Sequence, residues 1–146
     1  MTTQLRTIAL LLVTFAFTTA AAAVEPGELA CYDSTGQTTV RSIDAAKATG
    51  GGILVHEMFA AGLTFVTQPC IANLGARPAL ATSSRDEVVI HCTDPAGSVV
   101  YHAPARSWAV SAGVLTWREV RPSNEQLVST LPCLVFNVGD GLEPSK

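Results

Sequence analysis

The stretch Cys31–Gly36, CYDSTG, returns in the second half of the chain as Cys92–Gly97, CTDPAG, so both copies read C-x-D-x-x-G. Further along, Thr67–Ile71, TQPCI, aligns in the same order with Thr130–Leu134, TLPCL. Ordered self-similarity of this kind is typical of a chain built from two copies of one unit. The sequence therefore predicts an internal duplication with repeats over residues 28–75 and 88–139. The alternative is two unrelated strand-turn units that share common turn chemistry.

Each predicted repeat begins with a hairpin. An aspartate suits the first position of a β-turn, where it accepts backbone hydrogen bonds, and a glycine suits the last position. Strand-forming residues flank the second copy, with Val88–Cys92 before the turn and Ser98–Tyr101 after it. Residues 76–87, rich in turn and charged residues, read as an exposed connector between the repeats.

The segment after each hairpin favours a short helix. Ser42 is a suitable N-cap for Ile43–Thr49, and the glycines that follow would end that helix. In the second repeat, Pro104 and Gly113 would begin and end a helix over Ala105–Ala112. A hairpin over 108–120 that turns at Ala112 and Gly113, with Trp108 facing Trp117, is an alternative, because tryptophan and valine favour strands.

The remaining segments predict strands, and together they define the expected fold class. These strands are Ile53–Glu57, Leu63–Val66, Cys70–Leu74, Val114–Arg118, Leu127–Ser129 and Cys133–Val138. We therefore expect an α+β sandwich, in which a compact antiparallel sheet carries two short helices on one face. The sheet would be internally duplicated and stapled by disulfides.

The first 23 residues have the pattern of an export signal. Arg6 precedes the uncharged run Ile8–Phe17, and small residues follow up to Ala23. The run is about half of the roughly 20 residues that a membrane-spanning helix needs. We predict a signal peptide over residues 1–23 and a single secreted, extracellular domain over residues 24–146. The alternative is a buried core helix.

The four cysteines, Cys31, Cys70, Cys92 and Cys133, predict two disulfide bonds. They stand far apart in the sequence, whereas zinc sites favour close pairs, so we expect no metal and no cofactor. Four cysteines allow three pairing patterns. A duplication that preserved the bridges would pair Cys31 with Cys70 and Cys92 with Cys133, and crossed pairing between the halves stays open.

The charge pattern bears on possible partners. The net charge is −3, and the basic residues are scattered singly. Nucleic-acid binding needs a basic stripe to neutralise phosphates, so it is disfavoured. After the export signal no apolar run is long enough to span a membrane, and we expect a monomer.

Two histidines are the best candidates for acid-base chemistry, because histidine titrates near neutral pH. If residues 94–97 form the turn, Cys92 pairs with Val99 and His91 with Val100, which places His91 and His102 diagonally on one sheet face. Such a pair could cleave RNA, with Glu57 or Glu119 as an assistant. The alternative is two partly exposed strand residues.

Other motifs are incomplete. His56 and Glu57 resemble part of a zinc-protease helix, but Ala60 stands where the second histidine is needed. There is neither a G-x-S-x-G elbow nor a phosphate-binding glycine loop. The larger aromatic residues could form a ligand platform, although such residues more often belong to the core. They are Tyr32, Tyr101, Trp108 and Trp117.

The segment Gly113–Trp117, followed by Gln126–Val128 and Pro132–Val138, resembles the end of the small secreted fungal effector domains of the necrosis-inducing, killer-toxin-like group. The resemblance implies an α/β sandwich with an even set of cysteines and a late cysteine-bearing strand. This chain departs from the pattern at Ala45 and Ala46, where the family has a further cysteine. The family supplies no catalytic residues.

We therefore expect a non-enzymatic secreted effector or toxin-like protein that binds a host or competitor protein. A chain without a convergent polar cluster fits binding better than catalysis. One alternative is a secreted ribonuclease-like hydrolase that uses His91 and His102. Another is an inhibitor of an extracellular enzyme.

Overall fold

The computed structural model describes residues 24–76, 87–120 and 124–137, and all regular structure within these ranges is β-strand. The predicted signal peptide and most of the predicted connector lie outside the described residues. The ten strands are β1 (Glu28–Tyr32), β2 (Thr38–Thr49), β3 (Gly52–Glu57), β4 (Leu63–Val66), β5 (Cys70–Ala76), β6 (Val88–Thr93), β7 (Val99–Ser111), β8 (Val114–Glu119), β9 (Glu125–Ser129) and β10 (Cys133–Asn137). The described residues include no helix that could cross a membrane, since their regular structure is all β-strand.

The strands form one antiparallel sheet in the order β10-β6-β7-β8-β9-β5-β1-β2-β3-β4. The two halves of the chain have the same strand order, because the fifth strand of each half lies beside the first, and the second, third and fourth follow. The halves meet where β9 pairs with β5. The predicted duplication itself stays a prediction, and the shared strand order is the structural observation that accompanies it.

The predicted α+β class and both predicted helices are wrong. Ile43–Thr49 belongs to β2, and Ala105–Ala112 falls in β7 and the turn after it. The glycines at 50 and 51 do not end a helix: with φ of 41° and 85° they form a two-residue hairpin turn between β2 and β3. Ala112 and Gly113, with φ of 48° and 78°, form the corresponding turn between β7 and β8. Two positive φ angles in succession are what the right-handed twist of a hairpin requires. The turn of the alternative hairpin, at Ala112 and Gly113, is therefore correct, whereas its pair of Trp108 with Trp117 falls at a bulge between Arg106 and Ala109.

The predicted C-x-D-x-x-G turns are confirmed. In each, the amide of the glycine donates to the carbonyl of the aspartate, over 3.1 Å from Gly36 to Asp33 and 3.0 Å from Gly97 to Asp94. The aspartate side chain accepts further backbone hydrogen bonds, including one of 2.9 Å from Ser98 to Asp94. Local side-chain bonds of this kind stabilise the turn without help from the rest of the chain.

Two hydrophobic cores lie on opposite faces of the central strands. Leu29 and Ala30 are neighbours on β1 and so point to opposite faces, and each belongs to a different core. The core that contains Ala30 and Ile71 is completed mainly by the second half of the chain. The core that contains Leu29 is built mainly by the first half, with Val114 and Val128 from the second. Each half therefore covers one face of the central strands.

The disulfides join Cys31 to Cys70 and Cys92 to Cys133, which is pairing within each half. Each bridge links directly opposite residues on the first and fifth strands of its half. Two disulfides are typical of proteins that mature outside the cytosol.

Candidate functional site

The structure brings His91 and His102 together, although not in the predicted register. The two residues are directly opposite each other on β6 and β7, because Cys92 pairs with Tyr101 where Val99 was predicted. Two shifts of one residue each cause the difference. Thr93 pairs with Val99, one residue further along β7 than the predicted register places it, and a bulge then skips one more residue of β7 before the pair of Cys92 with Tyr101. An extra residue in one strand shifts every later pair, and the local sequence does not signal it.

The geometry of the histidine pair permits proton exchange. The Nδ1 atoms are 3.1 Å apart, and the rings meet nearly edge to face with centroids 5.3 Å apart. One neutral ring can donate its Nδ1 proton to the Nδ1 of the other, and the Nε2 atoms are then the ring nitrogens that can reach a substrate. His102 is exposed and His91 is half-buried, so the pair is open to solvent.

The strand neighbours of this pair do not supply a phosphate-binding charge. Leu134 of β10 lies opposite His91 and is 58% exposed. On β7 the neighbours two positions from His102 are Val100 and Pro104. A general acid-base site for RNA also needs a cation to stabilise the charge that develops on the phosphate, and none of these strand neighbours is cationic.

The proposed carboxylate assistants lie elsewhere. Glu57 pairs with Arg41 in the first half, with 2.7 Å between the guanidinium and carboxylate atoms. Glu119 accepts a 2.7 Å hydrogen bond from the hydroxyl of Tyr101. Because Tyr101 and His102 are adjacent on one strand, their side chains point to opposite faces of the sheet. Neither carboxylate therefore joins the histidine pair.

The third histidine has its own partner. Its Nδ1 lies 2.7 Å from a carboxylate oxygen of Asp44, on the exposed surface of β2 and β3. Within the described part of the chain, no group of three or more histidine, cysteine, aspartate and glutamate side chains is placed to hold a metal ion. His56 thus contacts Asp44 at the surface of the sheet.

The aromatic residues mostly belong to the core that the second half completes. Trp117 is 1% exposed and Tyr32 is 6% exposed. The indole nitrogen of Trp117 donates to the hydroxyl of Tyr101 over 3.0 Å, and the two rings are 5.0 Å apart. Burial raises the pKa of Tyr101 far above its ordinary value, an effect that the nearby carboxylate of Glu119 increases. Trp108 is only partly buried and packs against the same core.

A small cleft lies beside Trp108, between β7, β8 and β9. Its walls include Ser107, Arg118 and Gln126, and its volume is about 150 Å³. Ligand pockets usually exceed roughly 300 Å³, so this cleft is too small to enclose a typical small-molecule ligand.

Exposed apolar residues around β4 form a surface feature that was not predicted from the sequence. Phe59 is 94% exposed, Met58 is 50% exposed and Leu63 is 63% exposed. We call these three residues, at the loop between β3 and β4, the apolar corner. The signal available in the sequence was a Met-Phe pair immediately after a predicted strand and before the loop glycine Gly62. Exposed apolar clusters of this kind mark interaction sites.

Comparisons of this chain with known protein families, with curated proteins and with solved structures give no match.

Proposed function

We propose that this chain is a small secreted, disulfide-bonded effector or toxin-like protein that binds a protein of a host or competitor. The observation that carries the proposal is the apolar corner, where Phe59 is 94% exposed. A large aromatic side chain in water has no role in stabilising the fold, whereas aromatic anchors dominate binding energy when a partner buries them.

The polar chemistry of the described residues supports binding over catalysis. Three polar contacts at the surface of the sheet join Arg41 with Glu57, His56 with Asp44, and His91 with His102, and these contacts lie apart from the buried chain of Trp117, Tyr101 and Glu119. A catalytic centre normally brings a nucleophile or base, its orienting group and a charge-stabilising group to one point. A rigid sheet that exposes an aromatic side chain such as Phe59 is suited to binding another protein.

The test compares Phe59→Ser with Val110→Ser, which removes a similarly exposed apolar side chain, 60% accessible, from the end of β7. Burial of a phenylalanine contributes about 1.5 to 3 kcal/mol, so Phe59→Ser is expected to weaken target binding roughly 10- to 100-fold. The assay measures binding of labelled protein to extracellular proteins and cell surfaces of candidate hosts and competitors. Equal binding by both variants, or by neither, would refute the assignment of the apolar corner as the binding site.

The inhibitor alternative has its own test. If the target is an extracellular enzyme, loss of that enzyme's activity when this protein binds would establish that the protein is an inhibitor.

The second candidate is a secreted ribonuclease-like hydrolase, and the 3.1 Å contact between His91 and His102 is the observation that favours it. The test is an RNA-cleavage assay on the purified protein and on the double variant His91→Ala with His102→Ala. Cleavage by the parent that disappears in the double variant would overturn the binding-only proposal. Cleavage that survives equally in both would indicate a contaminating nuclease.

A further inference from the structure

The two strands at the free edges of the sheet have the same positions within their halves as the two strands that pair where the halves meet. The internal joint pairs β9, the fourth strand of the second half, with β5, the fifth strand of the first half. Among the described residues, β4 pairs only with β3, and β10 pairs only with β6. The free edges are thus a fourth strand and a fifth strand, the same two kinds that pair inside the molecule.

Side-chain positions at the free edges correspond to buried positions at the joint. Ile71 and Leu134 each follow the cysteine that begins the fifth strand of their half, and Phe65 and Val128 each stand two residues before the aligned threonine. At the joint Ile71 is 0% exposed and Val128 is 1% exposed. Their counterparts at the free edges, Leu134 and Phe65, are 58% and 50% exposed.

The reason for this difference is the cover that each half gives the other. Ile71 belongs to the core that the second half completes, and Val128 belongs to the core that the first half builds. At the joint, therefore, each half covers the outer face of the strand that the other half presents. At the free edges no described strand pairs beyond β4 or β10, and Phe65 and Leu134 lie at the surface.

Neither edge carries the usual protection against strand addition. Sheet edges are normally blunted by charged side chains or proline. The strand β4 reads LTFV and β10 reads CLVFN, without a charge or a proline in either. Both edges can therefore accept an added strand.

We propose that copies of this chain associate head to tail, with β4 of one copy pairing antiparallel with β10 of the next. The internal joint places Ala72 opposite Val128, so the corresponding register places Val135 of one copy opposite Phe65 of the other. The first half of one copy would cover Leu134, and the second half of the other would cover Phe65. A heterologous contact of this kind leaves one edge free at each end and extends to longer assemblies. The proposal departs from the monomer expected from the sequence and is independent of target binding through Phe59.

The test uses two edge variants and their mixture. Phe65→Lys places a charge on β4, Leu134→Lys places one on β10, and Val110→Lys is the control on an exposed apolar residue away from both edges. The full chain is produced in an exporting host and recovered in its processed form. Its mass is measured by sedimentation velocity over a concentration series, and non-reducing electrophoresis identifies any covalent linkage between copies.

The parent and Val110→Lys are expected to grow beyond dimer mass as concentration rises. Each edge variant alone is expected to associate at least about 100-fold more weakly, because every joint needs both edges and each buried apolar side chain is replaced by a charge. An equimolar mixture of the two edge variants retains one intact β10 and one intact β4, so it is expected to stop at a heterodimer.

Several results would overturn the proposal. A parent that stays monomeric up to millimolar concentration would mean that the edges are covered by the chain itself or are unused. Association retained by Leu134→Lys and lost in Phe65→Lys would indicate symmetric β4-to-β4 pairing. A mixture that does not exceed monomer mass, although the tryptophan fluorescence and melting temperature of both variants match the parent, would also contradict it. Loss of target binding in Phe59→Ser with unchanged assembly separates this proposal from the proposed function.

Discussion

The packing of the two C-x-D-x-x-G turns against each other gives a prediction that can be tested with a matched pair of variants. Gly36 and Gly97 occupy the same position of the same turn, with φ of 82° and 90°. A Cβ added at Gly36 would lie 2.9 Å from a carboxylate oxygen of Asp94 and 3.2 Å from the Cβ of Ala96, whereas a Cβ at Gly97 would meet nothing within 4 Å. The turn of the first half thus contacts that of the second at Gly36, while Gly97 faces open space.

The expected magnitudes follow from these two environments. Alanine in a left-handed conformation costs about 1 to 2 kcal/mol at either position. Gly36→Ala adds an overpacking cost of about 1 to 3 kcal/mol. The neighbour cannot move freely, because Asp94 is 6% exposed and its other carboxylate oxygen accepts the amide of Ser98. The pKa of Tyr32 also indicates that the halves are close here. It is raised by burial and then by the charge of Asp94, which belongs to the other half.

The measurement is denaturant unfolding with the disulfides intact, followed by tryptophan fluorescence, together with the melting temperature. At about 4 °C per kcal/mol, Gly97→Ala is expected to lower the melting temperature by roughly 4 to 8 °C, and Gly36→Ala by roughly 8 to 20 °C. Equal losses of stability in the two variants would mean that the turns do not pack against each other.

Three further predictions concern the core and the disulfides. Tyr101→Phe removes the hydroxyl that links Trp117 and Glu119, so it is expected to cost about 1 to 3 kcal/mol in denaturant unfolding and to alter the near-UV circular dichroism; unchanged spectra would contradict the described hydrogen bonds. Burial raises the pKa of Tyr101, so its stabilising effect is complete below the unfolded pKa near 10 and is lost as the pH rises above it. Unfolding measured from pH 8 to 11 should show a steeper loss of stability in the parent than in Tyr101→Phe, which keeps the raised pKa of Tyr32. Replacing Cys92 and Cys133 together by serine opens a loop with a sequence separation of 41 residues and is expected to cost about 4 kcal/mol, and peptide mapping that linked Cys31 to Cys92 would contradict the pairing itself.

The histidine pair shows the limit of sequence analysis for the candidate site. That His91 and His102 share a face followed from the hairpin around residues 94–97, and the structure brings them together. The predicted diagonal arrangement was wrong because the turn pairs Thr93 with Val99, one residue off the predicted register, and the bulge beside Cys92 adds a second residue. A bulge depends on how the strands twist within the whole sheet, and no residue type in this hairpin predicts it.

Local chemistry allowed the sequence to determine several features by itself. The aspartate and glycine of each C-x-D-x-x-G stretch define a turn through contacts within a few residues, so the turns at Asp33 and Asp94 were predictable. The strands β3 and β8, which follow the glycine turns, were likewise predicted from β-branched and aromatic residues. Four cysteines in a short chain were enough to predict two disulfides.

The tertiary structure alone decided the class of the fold. Ala45 and Ala46 suit a helix locally, and Ser42 would cap one, yet these residues lie in β2, where the neighbouring strands β1 and β3 supply hydrogen-bond partners on both sides. The same holds for Ala105, which is fully buried in β7. Strand pairing depends on residues that are distant in the sequence. The hydrogen bonds and packing that β2 and β7 gain from a neighbouring strand on each side exceed the small difference between helix and strand propensity at an alanine. The disulfides and the turns of the C-x-D-x-x-G motif could therefore be predicted from local sequence. The all-β sheet could not, because it depends on which strands pair with one another.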